Sequence, residues 1–536
     1  MKIAVVGSGP SGVAAASALL EQGHAVEVLD VGHTPDAAAQ ALAGQMRATL
    51  GRGEKPSRAL YRALHLGPGG SKRSLWAGLA TLLGRVEATR SQKRILGSTF
   101  VWDGADEGIP VENEVVTRSL AKGGLSNAWG AACYSWREHD FAGWPVAPAE
   151  LAPHYARAAS LLGLDQTQDA LVRAYPLYGA IGVDAPRNPG SALEQLLERW
   201  RAHEGELASA GFTPGRARLA VDRDACTRCG LCFYGCAFGA IWHAGQPLDK
   251  LALRYRPGCF VQGFREETGG VRVHGSEHGV VLDERYDALV IAAGVLSSLR
   301  IAADSLGLHE RKVPLLDNAL YLLPLLALEA KPAFGFRSRF TLGEAVLAVE
   351  AGVLSERPLH LQLYSFHEFF LAELGDLLRI LPRPLQDLCW ALLNRLALAF
   401  VYLPGADSTR ATARVVAAAG GPGRVCIDAQ PQAESRAILA RLVAQLRRVR
   451  GPLGFWPLPA LVKSTPFGFH GHLAGTLPMR ESPGPLETDA SGRLHGTARV
   501  FVVDTAAFPT LPAQNLTFTA MANALRIADG IAGAVA

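Results

Sequence analysis

The sequence predicts an α/β fold in which a parallel-sheet domain, built from discontinuous segments, is intergrown with a second domain. Three observations lead there. A chain of 536 residues is too long for one simple core. Its first thirty residues alternate strand, glycine turn, helix and strand signals. A further buried-strand pattern returns at Tyr286–Gly294, far away in sequence. With 49% apolar and 19% charged residues the chain is globular and not disordered. A net charge of +4 does not by itself point to nucleic acid, and none is expected as a partner.

The N-terminal elements justify themselves in order. Ile3-Ala4-Val5-Val6 is a short continuous apolar run, as a central parallel strand requires. Gly7-x-Gly9-x-x-Gly12 follows, with Pro10 and Ser11 inside it, and the apolar run Val13–Leu20 reads as a helix. Val26–Leu29 is a second strand, ended by Asp30. Gly7 permits the tight turn, Gly9 lets the backbone approach a pyrophosphate, and Gly12 lets helix and strand pack closely. The helix N-terminus offers unpaired N–H groups to phosphates, and Asp30 can accept from a ribose hydroxyl. The pattern is a Rossmann-like fingerprint, which FAD and NAD share. Tyr286–Gly294 is the returning strand, with Ala293 and Gly294 at its cofactor end.

Four of the eight cysteines crowd into Cys226-x2-Cys229-x2-Cys232-x3-Cys236. That spacing belongs to metal or redox chemistry and not to a secreted disulfide framework. It is a ferredoxin-like iron–sulfur signal, with Gly230 and Gly235 placed where the backbone must bend. Either Cys236 closes the cluster or a distant cysteine such as Cys259 does. The competing readings are a structural zinc knot and a cysteine knuckle without metal.

Several segments resemble the glucose–methanol–choline (GMC) oxidoreductase family. His472-Leu473-Ala474-Gly475-Thr476 is similar to its H-x-x-G-T segment. Arg499–Asp504 followed by Thr505–Asn515 resembles its V-D-x-S-x-x-P stretch, which leads to a His or Asn eleven residues after the Asp. Met521–Ile531 resembles its closing helix, and Gly123-Gly124-Leu125-Ser126-Asn127-Ala128-Trp129-Gly130 its loop beside the flavin. Leu516 stands where the family usually has Pro, and Asn127-Ala128-Trp129 replaces a commoner small-apolar-Asn pattern, so the substrate class stays open.

The resemblance implies FAD as cofactor, with Gly124, Ser126, Asn127, Asp504 and Asn515 joining Gly7–Gly12, Asp30, Ala293 and Gly294 around it. It implies His472 as the base that takes an alcohol's proton and Asn515 as its orienting partner. His470, two residues away, is the competing base. The cysteine run is similar to the C-x5-C-x3-C pattern in flavin subunits of bacterial glucose and fructose dehydrogenases. Cys226, Cys232 and Cys236 match it and Cys229 is added, which favours a four-iron, 4Fe–4S cluster over a three-iron one.

The implied activity is oxidation of an alcohol to a carbonyl, with electrons relayed to an acceptor protein or quinone. The alternatives are an oxygen-using oxidase with a structural cysteine or zinc knot, a flavin and iron–sulfur reductase running in reverse, and a non-catalytic flavin-binding module.

Residues 1–145, 215–305 and 465–536 are expected to form the FAD-binding domain. Residues 146–214 and 306–464 are expected to form a substrate cap with an antiparallel sheet, its strands including Val346–Val349 and Leu359–Tyr364. The cap's richness in Leu and Phe favours a hydrophobic alcohol over a free sugar. No run of 18 or more uncharged apolar residues suggests a membrane span. The N-terminus reads as a strand, not a signal, so a cytoplasmic location is expected. Two segments could touch a membrane surface: basic residues Arg47–Arg94 around apolar Leu75–Leu83, and a helix expected over Leu385–Leu403.

Overall fold

The computed structural model describes residues 1–535 except 55–56, 58, 61–62, 65–93, 106–109, 115, 165–166, 179–191, 330–339 and 366–380. The apolar stretch Leu75–Leu83, with most of the basic segment around it, lies outside the described residues. Among them, no helix is long and apolar enough to cross a membrane.

An all-parallel five-stranded sheet forms the first half, in the order Val500–Val502, Ala288–Ile291, Lys2–Val6, Ala25–Leu29 and Arg254–Arg256. Its central strands are continuous apolar runs because both faces are covered. On one face the helix Pro10–Glu21 packs against the C-terminal helix Thr517–Val535, which in turn meets the helix Pro148–Leu162. The core of that last helix, Leu151, Tyr155, Ala158 and Leu162, thus merges with the nucleotide-binding half. A three-stranded antiparallel sheet, Cys259–Glu267, Gly270–Glu277 and Val280–Tyr286, leads back into the central strand Ala288–Ile291.

The second half is a seven-stranded antiparallel sheet that includes Phe212–Arg216, Ala345–Val349, Leu359–Ser365, Leu396–Tyr402 and Leu320–Ala327. Leu359, Leu361 and Leu363 point to a separate apolar core, closed by Ile438, Leu442 and Leu446 of the helix Ala433–Arg448. Another sheet bridges the halves: Val313–Asp317 pairs with Arg410–Ala418 on one side and with Leu473–Ala474 on the other. Its side chains Val313, Leu315, Val415 and Ile427 join the core of the nucleotide-binding half, although they come from the 306–464 segment.

The helix expected over Leu385–Leu403 is corrected. It spans Arg383–Leu393, and Leu396–Tyr402 is a strand hydrogen-bonded on both sides within the seven-stranded sheet. Both halves of the segment are apolar, but Leu-Ala-Leu-Ala-Phe-Val-Tyr alternates in a way that suits a pleat with two different faces. Leu385, Leu388 and Leu392 are exposed on the helix.

Candidate active site

The fingerprint turn is built as its glycines require. Gly7 has φ +99° and its hypothetical Cβ would stand 2.5 Å from the Ala292 carbonyl oxygen. Gly9 caps the helix Pro10–Glu21 in extended conformation without a side-chain cap, so the first-turn N–H groups remain available. A Cβ on Gly9 would meet nothing within 4 Å among the described residues. The cradle is therefore open where a pyrophosphate would lie, and the donor set fits a dinucleotide. Ser11 and Gly12 are buried in that helix, while Pro10 occupies its first position.

Asp30 closes the strand Ala25–Leu29 as expected. Its carboxylate is engaged by the Ser8 hydroxyl and by Tyr255 Oη at 3.0 Å, and Ser8 Oγ also accepts from the Gly123 N–H at 2.8 Å. The glycine turn, the strand end and the Gly123–Gly130 loop are thus tied together. Burial raises the Asp30 carboxyl to about 6. Ser126 and Asn127 use their side chains to brace their own loop: Asn127 Nδ2 donates to the Lys122 and Gly124 carbonyls at 2.9 and 2.8 Å. Ser126 Oγ accepts from the Ala244 N–H at 2.9 Å. Asp504 joins the last sheet strand to the helix Val295–Leu306, accepting from the Gly294 N–H at 2.8 Å and Ser298 Oγ at 2.6 Å. Ala293 and Gly294 lead into that helix.

His472 directly precedes the strand Leu473–Ala474, whose register sets Leu473 opposite Asp317. The next residue, Asn318, is therefore brought beside His472, with Oδ1 3.3 Å from His472 Nδ1. Tyr402 stacks on the His472 ring with centroids 5.3 Å apart and an interplanar angle of 19°. Among the described residues His472 Nε2 has no hydrogen-bond partner. Burial first, then His470 and His360, hold the His472 imidazole well below its ordinary value. His470 is used differently. Its Nε2–H donates to the Asn318 carbonyl at 2.7 Å, and its Nδ1 accepts the His472 N–H at 3.4 Å. Both ring nitrogens are occupied by backbone.

Three further side chains come from the strand Leu359–Ser365. Its leucines face the cap core, and His360, Gln362 and Tyr364 face the opposite way, yet all three are buried. Gln362 Nε2 donates to Asn515 Oδ1 and, at 3.0 Å, to His360 Nε2, while Gln362 Oε1 accepts from Tyr364 Oη at 3.0 Å. His360 Nδ1 then donates to Tyr175 Oη at 2.6 Å. With its oxygen spoken for, Asn515 has only its amide N–H groups to offer, and these have no partner among the described residues. His360, Gln362, Tyr364, Tyr402 and Asn318 were absent from the sequence-based candidate set. The signal was present in the alternation Leu-His-Leu-Gln-Leu-Tyr, a strand with one apolar and one polar face.

His360 carries a pH prediction. Burial, with the nearby Arg137 charge, lowers it from 6.5 to about 3. Above pH 6.5 neither folded nor unfolded chain holds this proton. Between 6.5 and about 3 only the unfolded chain takes it up, so stability falls as pH falls, by about 1.4 kcal/mol per unit. Urea titrations from neutral pH down to about pH 5 should show His360→Gln losing less stability than wild type as pH falls, by about this amount per unit. An unchanged slope in the variant would place the acid sensitivity elsewhere.

The cysteine run is a loop around the short turn Cys232–Tyr234. Arg228, Gly230 and Gly235 are left-handed, with φ of 51°, 77° and 89°, and they fold it back on itself. Burial pushes the Cys232 thiol up to about 11, with the Cys229 and Cys226 thiols adding to it. Cys229 is raised likewise, by burial first, with the Cys236 and Cys226 thiols adding to it. Cys236 Sγ accepts the Ala240 N–H at 3.3 Å. Among the described residues no three His, Cys, Asp or Glu side chains converge on a single metal ion, as a zinc knot would require. A cavity of about 170 Å3 is lined by both loops, with Ser126, Asn127 and Trp129 from the Gly123–Gly130 loop and Cys232 and Cys236 from this one. The scattered Cys259 lies buried in a strand of the three-stranded sheet.

No curated protein sequence matches the chain. Among solved structures, pyridoxine 4-oxidase from Mesorbium loti is similar over 99% of this chain and 99% of its own, with a TM-score of 0.57 and 16% identity. That likeness establishes the fold, a nucleotide-binding domain with a cap. Residues 457–524, the segment that carries both His472 and Asn515, match the GMC oxidoreductase family model.

Proposed function

We propose that this protein is an FAD-dependent oxidoreductase that oxidises an alcohol to a carbonyl. The observation that carries the reading is that, among the described residues, His472 Nε2 and the amide N–H groups of Asn515 have no hydrogen-bond partner, both on the segment matched to the GMC oxidoreductase family. Proteins of that family typically bind FAD, and FAD held on the Gly7–Gly12 cradle would supply the hydride acceptor. His472 Nε2 takes the hydroxyl proton as the C–H bond breaks and its electron pair leaves as hydride. The Asn515 amide donates to the oxygen while negative charge develops on it. The stacked Tyr402 and the aromatic pair of buried Tyr364 and partly buried Phe400, centroids 4.3 Å apart, give this wall an apolar character that suits a hydrophobic alcohol.

The finer part of the proposal concerns the electrons. Cys226, Cys229, Cys232 and Cys236 would hold a 4Fe–4S cluster, which supplies one-electron transfer and favours a dehydrogenase with a protein or quinone acceptor over an oxidase. In such a cluster each thiolate binds its own iron, so the four sulfurs need not converge on one point. That this loop and the Gly123–Gly130 loop line one cavity supports this reading.

An absorbance spectrum of anaerobically purified protein, with iron and acid-labile sulfide counted on the same sample, tests it. Flavin bands with a broad visible shoulder and about four irons per flavin are expected. Flavin bands without iron would remove the relay and leave an oxygen-using oxidase, to be checked by peroxide formation with substrate. Absence of flavin as well would remove the whole proposal.

A further inference from the structure

We infer that Asn318 is the positioning residue that sets the protonation pattern of His472: it holds the proton on Nδ1 and so leaves Nε2 as the acceptor. The inference deepens the proposed alcohol oxidation and rests on His472 being its base.

The argument is one of hydrogen-bond accounting. Asn318 is 1% exposed, so its amide cannot look to water for partners. Its Nδ2 donates to the Leu403 carbonyl at 2.8 Å and to the Pro512 carbonyl at 2.9 Å. Carbonyls only accept, so both amide hydrogens are committed and the amide cannot turn over. A flip would break two hydrogen bonds and set Oδ1 against two carbonyl oxygens. Oδ1 must therefore face His472 Nδ1 at 3.3 Å, and an oxygen in that place needs a hydrogen on the ring nitrogen. A neutral imidazole carries one N–H, so Nε2 holds the lone pair.

The surroundings remove the other ways of fixing the ring. His470 already spends Nε2–H on the Asn318 carbonyl and Nδ1 on the His472 N–H, and it meets His472 edge to face at 4.6 Å. Tyr402 fixes the ring plane by stacking but offers His472 no hydrogen bond. Asp317, the neighbouring carboxylate, accepts from the Gly468 N–H at 2.7 Å and lies 3.6 Å from His470. Asn318 is thus the only described side chain that addresses a ring nitrogen of His472. Both carbonyls that lock it come from loops beside the site, one following the strand Leu396–Tyr402 and one in the stretch leading to Asn515. The orientation of the base is thereby coupled to the segment that carries its partner.

The test uses full-length flavin-loaded protein labelled with 15N in histidine, the His472 resonances being assigned by loss in His472→Gln. The ring nitrogen shifts report directly which nitrogen carries the proton. Wild type is expected to show the Nδ1–H form. Asn318→Ala is expected to show a mixture of the two forms and a fall in the rate of alcohol-dependent flavin reduction on the order of tenfold or more, with substrate KM little changed. An Nε2–H form in wild type overturns the inference even if no variant folds, and so does an unchanged ring in Asn318→Ala. Should His472→Gln retain turnover, the base assignment fails separately, because the ring-nitrogen shifts do not depend on activity.

Discussion

Replacing His472 with alanine is expected to slow alcohol-dependent reduction of the bound flavin by about a hundred- to ten-thousand-fold, the range of a lost general base. The expectation rests on how differently two neighbouring histidines are used. His472 has one nitrogen on Asn318 and the other without a partner among the described residues. His470 has both nitrogens committed to backbone. His470→Ala should therefore loosen the loop and lower stability, with a smaller effect on the chemical step. Anaerobic stopped-flow following the flavin band, with excess alcohol, separates the two. The assignment fails if His472→Ala keeps its rate within a few-fold while His470→Ala loses it.

The same site predicts the direction of the pH profile. A base must be neutral to accept a proton, and burial together with His470 and His360 holds His472 well below 6.5. Activity should persist as pH falls through 6.5 and drop only further down. An acid limb at or above 6.5 would mean that the titrating group is another one.

How much of this could be read from the chain depends on whether the contacts are local. The glycine fingerprint was legible because Gly7, Gly9, Gly12 and Asp30 act within thirty residues, each through its own backbone or the strand it ends. The strand Ala345–Val349 was legible as an apolar run and Leu359–Ser365 by its alternating leucines. The polar face of the second was not, because alternation ordinarily places polar residues toward water. Here His360 and Gln362 are 0% and 2% exposed, turned inward to a network with Asn515 and Tyr175.

Asn318 illustrates the same limit more sharply. Nothing in Asp317-Asn318-Ala319 marks it. Its role arises from the antiparallel register with Leu473, more than 150 residues away, a pairing no local pattern encodes. The Leu385–Leu403 segment was misread because apolar content alone does not separate helix from buried strand. Its strand half is recognised only once the neighbours Leu320–Ala327 and Leu359–Ser365 are in place.

Two glycines three residues apart, Gly9 and Gly12, should separate cofactor binding from folding when each is replaced by alanine. Gly12 lies inside the helix Pro10–Glu21, and a Cβ there would stand 2.1 Å from the Gly7 carbonyl oxygen. Backbone cannot yield as a flexible side chain would, so helix and turn must move apart. Gly12→Ala should cost the protein at least about 1–3 kcal/mol even without FAD, the range for forced overpacking. Gly9 is extended, with φ −65° and ψ 178°, a conformation alanine accepts. Its Cβ would point into open space, so the flavin-free protein should keep its stability within about 1 kcal/mol. The methyl group would instead occupy the cradle. FAD affinity should then fall on the order of tenfold to a hundredfold, as expected for the loss of one or two charge-assisted hydrogen bonds to phosphate. Thermal unfolding of both variants with and without added FAD is the measurement. If Gly9→Ala binds FAD as wild type does, the pyrophosphate does not lie on this turn, and the cofactor site must be sought elsewhere along the sheet edge.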